Sequence, residues 1–150
     1  MRLFFIITNL FIIISLLIFP TYAFAETGKE KLTSNKSLFV ELNSQNQVGP
    51  DCQVSFLMKN ALGKEVKQFT FEVVIFNEKQ QVEKLLVLKS GELAEGKTRV
   101  KRYGLKNLTC RNISRYLIND IKQCDAEGFT PKLCLQALVL SNKTTSKFGS

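Results

Sequence analysis

From residue 37 onward, apolar and polar positions alternate with period two in a series of short runs, each closed by a turn. Ser37–Asn43 is a first predicted strand, and Ser44–Asp51 is turn material broken by Gly49-Pro50. In the second run Cys52, Val54, Phe56 and Met58 share one face, while Gln53, Ser55 and Lys59 fall on the other. The third run, Lys67–Phe76, sets Phe69, Phe71, Val73 and Ile75 on one face and Thr70, Glu72, Val74 and Phe76 on the other. Its second face turns apolar towards the end, which predicts a central strand covered there on both sides. Further strands are predicted over Val82–Gly91, Lys97–Leu105, Ile113–Asp120 and Leu133–Asn142. In the last, Leu133, Leu135, Ala137 and Val139 alternate against Cys134, Gln136, Leu138 and Leu140.

No run carries a helical stripe of useful length; a single helical turn is expected at Asp120–Cys124 or Asp125–Gly128. Short strands at regular intervals, separated by Gly, Asn and Pro turns, predict an all-β fold. The expected form is an immunoglobulin-like antiparallel sandwich of about seven strands over residues 37–142, stapled by disulfides, with an open barrel as the alternative. The chain contains no tryptophan, so the antibody-type core is not expected. Residues 143–150 are expected to form a C-terminal tail, and Glu26–Lys36, whose one apolar residue is Leu32, a flexible lead-in.

The start of the chain has a different pattern. Arg2 precedes an apolar stretch from Leu3 to Phe19, and Pro20 leads to Ala23-Phe24-Ala25. That layout predicts a secretory signal peptide over residues 1–25, cut after Ala25, with an uncleaved membrane anchor as the competing reading. The absence of a twin arginine points to the general export route, and the absence of a cysteine near residue 25 argues against a lipid anchor. Cleavage removes Arg2 alone among the charged residues, lowering the formal charge of +8 by one to +7.

An exported chain with an even number of cysteines predicts disulfides. Cys52, Cys110, Cys124 and Cys134 include no Cys-x-x-Cys pair, and the chain has no histidine. Common zinc sites and thioredoxin-type redox motifs therefore have no ligand set here, and no metal or other cofactor is expected. Spacing alone leaves three pairings open. Counting strands narrows them: Cys52 opens the second strand and Cys110 lies just before the sixth, and alternate strands begin at one pole of an up-and-down sandwich. The expected bonds are thus Cys52–Cys110 and Cys124–Cys134, the second clamping the connection that contains Gly128 and Pro131.

Charge changes the picture in one place. Lys97, Arg99 and Lys101 fall on one face of the fifth strand, with Arg102 on the other and Arg111 and Arg115 close in sequence. Lys97, Arg99, Lys101 and Arg102 are the candidate anion-binding face. The competing reading is an edge strand protected by positive charge against strand-to-strand pairing. The absence of histidine excludes Ser-His-Asp and Cys-His catalysis. The nearest acidic pairs, Glu92/Glu95 and Asp120/Asp125, lie in predicted turns, where carboxylates are usually solvated. Gly91, Gly96 and Gly104 build no phosphate loop, because no Gly-Lys-Ser/Thr follows a strand. The Asn-x-Ser/Thr matches at Asn35, Asn107, Asn112 and Asn142 fit the Lys- and Asn-rich composition better than they fit glycan acceptors.

The frame Leu38-Phe39-Val40-Glu41-Leu42-Asn43, then Cys52, Asn60 and Gly63, Leu93, Gly96, Val100 and Leu105, followed by Cys110, Ile113, Leu117-Ile118-Asn119, Cys124 and Cys134, resembles an uncharacterised family of small exported proteobacterial proteins with four cysteines. The resemblance covers residues 38–141. Some members carry a twin-arginine signal, from which this chain departs. More loosely, the stretch from Val73 to Arg99 is similar to bacterial FxLYD-type β-sandwich domains. Both resemblances imply compartment and fold, and neither implies an activity. The expected function is a non-enzymatic interaction module of the bacterial periplasm, engaging an envelope protein or an anionic envelope surface. The alternative is a small envelope enzyme that uses carboxylates only. Nucleic acid is not an expected partner, and no membrane-integral segment is expected after signal cleavage.

Overall fold

The computed structural model describes residues 36–150; the expected signal peptide and most of the expected lead-in lie outside the described residues. Eight strands form the domain: β1 (Ser37–Val48), β2 (Asp51–Ala61), β3 (Val66–Asn77), β4 (Val82–Leu93), β5 (Thr98–Leu105), β6 (Ile113–Cys124), β7 (Leu138–Asn142) and β8 (Lys147–Gly149). A single 3-10 turn, Cys110–Asn112, precedes β6, and one short helix, α1 (Pro131–Gln136), precedes β7. The strands make two four-stranded sheets, ordered β5-β2-β1-β7 and β4-β3-β6-β8. The all-β sandwich expected from the alternation is therefore the fold. It is not purely antiparallel, since β7 lies parallel to β1 and β8 parallel to β6.

Period two decides what is buried. Leu38, Val40 and Leu42 of β1 and Cys52, Val54, Phe56 and Met58 of β2 face Phe69, Phe71, Val73 and Ile75 of β3, and all are buried. Phe56 is the hinge of the aromatic packing, meeting Phe71 of the other sheet edge-on at 5.7 Å and Tyr103 of its own sheet at 6.0 Å. The second face of β3 is also covered: Thr70, Glu72 and Val74 are buried there, as the apolar drift of that strand predicts for a central position.

Three expectations are corrected. Leu133–Gln136 is not the start of a strand. Pro131 occupies the first turn of α1, and the Thr130 hydroxyl accepts from the Leu133 amide, so local capping chemistry overrides the apolar alternation. The helical turn therefore falls at Pro131–Gln136, while Asp120–Cys124, where one was expected, continues β6. Residues 143–150, expected as a tail, contain β8, whose Phe148 packs within 5.8 Å of Phe56.

Both disulfides form as the strand count implies, Cys52–Cys110 and Cys124–Cys134, with Cα separations of 4.9 and 6.5 Å. On chain-entropy grounds loops of these lengths contribute about 4 and about 3 kcal/mol. The first bond is tied into a third segment. The Cys110 amide donates to Gln47 Oε1 at 2.8 Å, and Gln45 Nε2 donates to the Cys110 carbonyl at 2.6 Å, so β1 holds the residue that the disulfide holds to β2.

Asn60 is a second fastening point. It is fully buried, and its amide nitrogen donates to the Lys64 carbonyl at 2.7 Å and the Leu93 carbonyl at 2.8 Å. Its side-chain oxygen accepts from the Leu62 amide at 3.0 Å, and its backbone carbonyl accepts from Gly96 at 2.8 Å. Its side chain thus joins the β2–β3 turn to the end of β4, and its backbone ties in the turn before β5. Gly63 and Gly96, on either side of this hub, hold φ of +78° and +68°, a conformation other L-residues adopt with strain.

Candidate functional site

β4 and β5 are edge strands of different sheets, and they lie against each other along one margin of the sandwich. Three contacts define the margin. The Tyr103 hydroxyl donates to the Lys89 carbonyl at 3.1 Å, Lys84 Nζ donates to the Lys106 carbonyl at 2.8 Å, and the Arg99 guanidinium lies 3.8 Å from where a Gly91 Cβ would sit. Successive residues of β4 thus meet β5 in reverse order, so the two edges run antiparallel across the open gap.

The candidate anion-binding residues lie on β5 or, for Lys97, just before it, and the pairing of β5 with β2 decides which side each leaves from. Cross-strand partners share a face. Arg99 pairs with Met58 and Lys101 with Phe56, so both leave the strand on the core-facing side. At a central position that would bury them. At an edge their long stems run out past the core, leaving Arg99 exposed and Lys101 half-buried. Arg102 pairs with Ser55 on the outer face, beside Val100, and Lys97 precedes the strand and is exposed. Arg111 and Arg115 are not brought to this margin. Arg111 lines a shallow cavity with Gln45, Asn46 and Lys143, and Arg115 stacks on Phe76 at 4.0 Å on the outer face of the second sheet.

Sequence reasoning missed Lys84 and Lys89. They come from the other sheet, and their odd spacing puts one on each face of β4, opposite Ile75 and Thr70 respectively. No periodicity within a single strand could connect them to Lys101. The two strands and their flank carry six cations, Lys84, Lys89, Lys97, Arg99, Lys101 and Arg102, and three carboxylates, Glu83, Glu92 and Glu95. Among the described residues none of the six takes part in an ion pair; the pairs present join Lys64 to Glu127 and Lys122 to both Glu72 and Asp120. Tyr103 stands inside the same margin, and burial pushes its phenol up to about 12.

Carboxylates behave differently. Glu72 is held below the ordinary range by the Asn119 hydrogen bond first and by Lys122, and Glu127 is held down by its hydrogen bond to Lys64. Both shifts favour the charged form, the reverse of what a general acid requires. The two groups sit on separate surfaces, Glu72 on the outer face of β3 and Glu127 in the loop before α1. A cavity at the β3–β4 turn is lined by Glu78 and Glu83 beside Lys79 and Asn107. Among the described residues no group of three or more His, Cys, Asp or Glu is placed to hold a metal ion, and no helix is long and apolar enough to cross a membrane. No protein-family model, no curated protein and no solved structure matches the chain.

Proposed function

We propose that this domain is a non-enzymatic binding module of the bacterial periplasm that takes an anionic envelope component against the β4/β5 margin. The observation that carries the reading is that none of the six cations on these two edge strands and their flank is in an ion pair. Like charges brought together in this way repel and cost stability, and a bound anion offsets that cost. Two disulfides and the resemblance to small exported proteins support an oxidising compartment outside the cytoplasm.

The test is co-sedimentation with phosphatidylcholine vesicles, with and without phosphatidylglycerol, and with an acidic cell-wall polymer. The parent protein binds one of the anionic probes, and binding weakens as salt shortens the screening length to about 8 Å. Replacing Lys97, Arg99 and Lys101 with Glu abolishes that binding and leaves the melting temperature nearly unchanged, because glutamates still protect an edge strand. A parent protein without salt-sensitive binding returns the cations to edge protection alone.

A further inference from the structure

β4 is twelve residues long, stands at the edge of its sheet, and has an apolar middle, Leu85-Leu86-Val87-Leu88. Leu85 and Val87 lie on its outer face with 54% and 50% of their surfaces exposed, and Val82 is 62% exposed. Leu85 pairs with Val74, which is buried, and Val74 with Leu117 of β6, so the exposed apolar surface stays on β4. Bulges bracket the regular stretch, one at Glu83 and one next to Gly91. Between them the strand is regular, and β3 is its one strand neighbour in the sheet, although the Tyr103 hydroxyl of β5 reaches the Lys89 carbonyl. The Lys89 carbonyl points away from β3, since it accepts from Tyr103, and residues two and four before it point the same way.

We infer that this edge pairs with β4 of a second copy of the chain, antiparallel, about a twofold axis at Leu86. Leu85, Val87 and Lys89 lie on the outer face, and with Glu83, which the bulge leaves without a partner on β3 and whose carboxylate accepts from Asn77 Nδ2 at 3.2 Å, they give an order that is its own complement when reversed. With Leu86 opposite Leu86, Leu85 stands opposite Val87 of the second copy, and Glu83 opposite Lys89. Leu85 and Val87 exchange both backbone hydrogen bonds with their opposites, which are the residues whose polar groups face outward. On the inner face Leu86 meets itself and Lys84 lies along Leu88. Other registers fail: a two-residue slip sets Leu85 against Lys89 and Glu83 against Gly91, or else Glu83 against Val87. An unrelated strand has no reason to carry this order of charge, which is why a second copy is the occupant. β5 cannot serve the same purpose, because Thr98, Arg99, Lys101 and Arg102 occupy it. This pairing does not depend on anion binding.

Sedimentation equilibrium of the disulfide-bonded protein, at one ionic strength, tests it. The parent shows a monomer–dimer equilibrium. E83K and K89E each set like charges opposite one another at both ends of the paired stretch, and each raises the dimer Kd roughly tenfold. The double variant E83K/K89E has the parent's net charge and restores the opposite pairs; its Kd returns to within about threefold of the parent. A parent that stays monomeric, or a double variant weaker than either single one, overturns the inference. A second readout is covalent. L86C crosslinks to its own copy under mild oxidation, since residues opposite each other at a non-hydrogen-bonded position lie about 4.5 Å apart at Cα. V100C, which is more exposed but on β5, does not. Equal crosslinking of the two variants means random collision and sinks the pairing.

Discussion

β4 and β5 are both edge strands, both reach the same margin, and both are exposed, yet they are built in opposite ways. β5 sends Arg99 and Lys101 out past the core on one face and Arg102 from the other, so a strand approaching it meets charge from every side. β4 carries Glu83 and Lys84 at one end and Lys89 and Glu92 towards the other, and leaves four apolar residues between them. An edge is thus not protected or open by position. It is protected where charged side chains occupy the middle of the strand, and open where they mark only its ends. Such ends leave the hydrogen-bonding row free and fix which strand fits it.

The largest test of this contrast is Asn60, which fastens the end of β4 and the turn before β5 to one point. Asn60→Ala leaves the Lys64 and Leu93 carbonyls and the Leu62 amide without their partner in a buried site, and costs about 3 kcal/mol. Thermal unfolding of the variant should fall by about 10 °C. A drop within error would mean that water or neighbouring groups take over the bonds and that the margin is not fastened there.

Exchanging the character of the two edges is the next test. R99V with K101V removes the inward charge from β5 and gives it an apolar middle, so the protein should acquire a second pairing edge. Light scattering is expected to show species larger than a dimer, growing with concentration. If the doubly substituted protein keeps the parent's size, positive charge is not what keeps β5 unpaired.

The smallest effect concerns Tyr103, the one hydroxyl that spans the margin. Its phenol ionises more readily in the unfolded chain, near 10, than in the fold, where burial raises it to about 12. The raised value means that its contribution is complete below pH 10 and is lost between pH 10 and 12. Tyr103→Phe should therefore flatten the loss of stability across that window while lowering neutral-pH stability by about 1 kcal/mol or less, the usual worth of one hydrogen bond. Denaturant titrations at pH 7, 10 and 11 read both quantities. An unaltered alkaline limb would place that loss on other groups, Tyr116 among them, whose phenol burial also raises.

Much of this arrangement was legible in the chain, and the parts that were not share a cause. β2 and β3 declare themselves because each is long enough for the alternation to be unambiguous, and the covered second face of β3 follows from Val74 and Phe76. The disulfides follow from strand order. The charges of β5 were assigned correctly to one face, but not to the inner one; only position in a sheet decides whether a lysine on the core side can escape to water, and order within a sheet is a long-range property. Leu133–Gln136 misleads because the alternation of three apolar residues is weak evidence beside a Thr-Pro start. β8 is three residues with a single apolar side chain, too little for any periodicity. Lys84 and Lys89 join the margin through the other sheet, and no window along the sequence spans that distance.

The parallel pairs hold a further consequence, for how the chain is made. β7 closes the outer edge of β1 and β8 closes the outer edge of β6, and the few residues between them carry the chain from one sheet to the other. Among the described strands β1 therefore waits for β7. Neither sheet is finished on that side until β7 and β8 arrive, and contacts as distant in sequence as β1 with β7 form slowly. A chain cut short before Leu138 would lose both covers at once and lay bare two interior strands, Phe39 and Leu117 among their residues. β7 and β8 are the seal whose arrival separates a closed sandwich from a sticky fragment, and a cell that degrades unsealed chains would be reading those two strands.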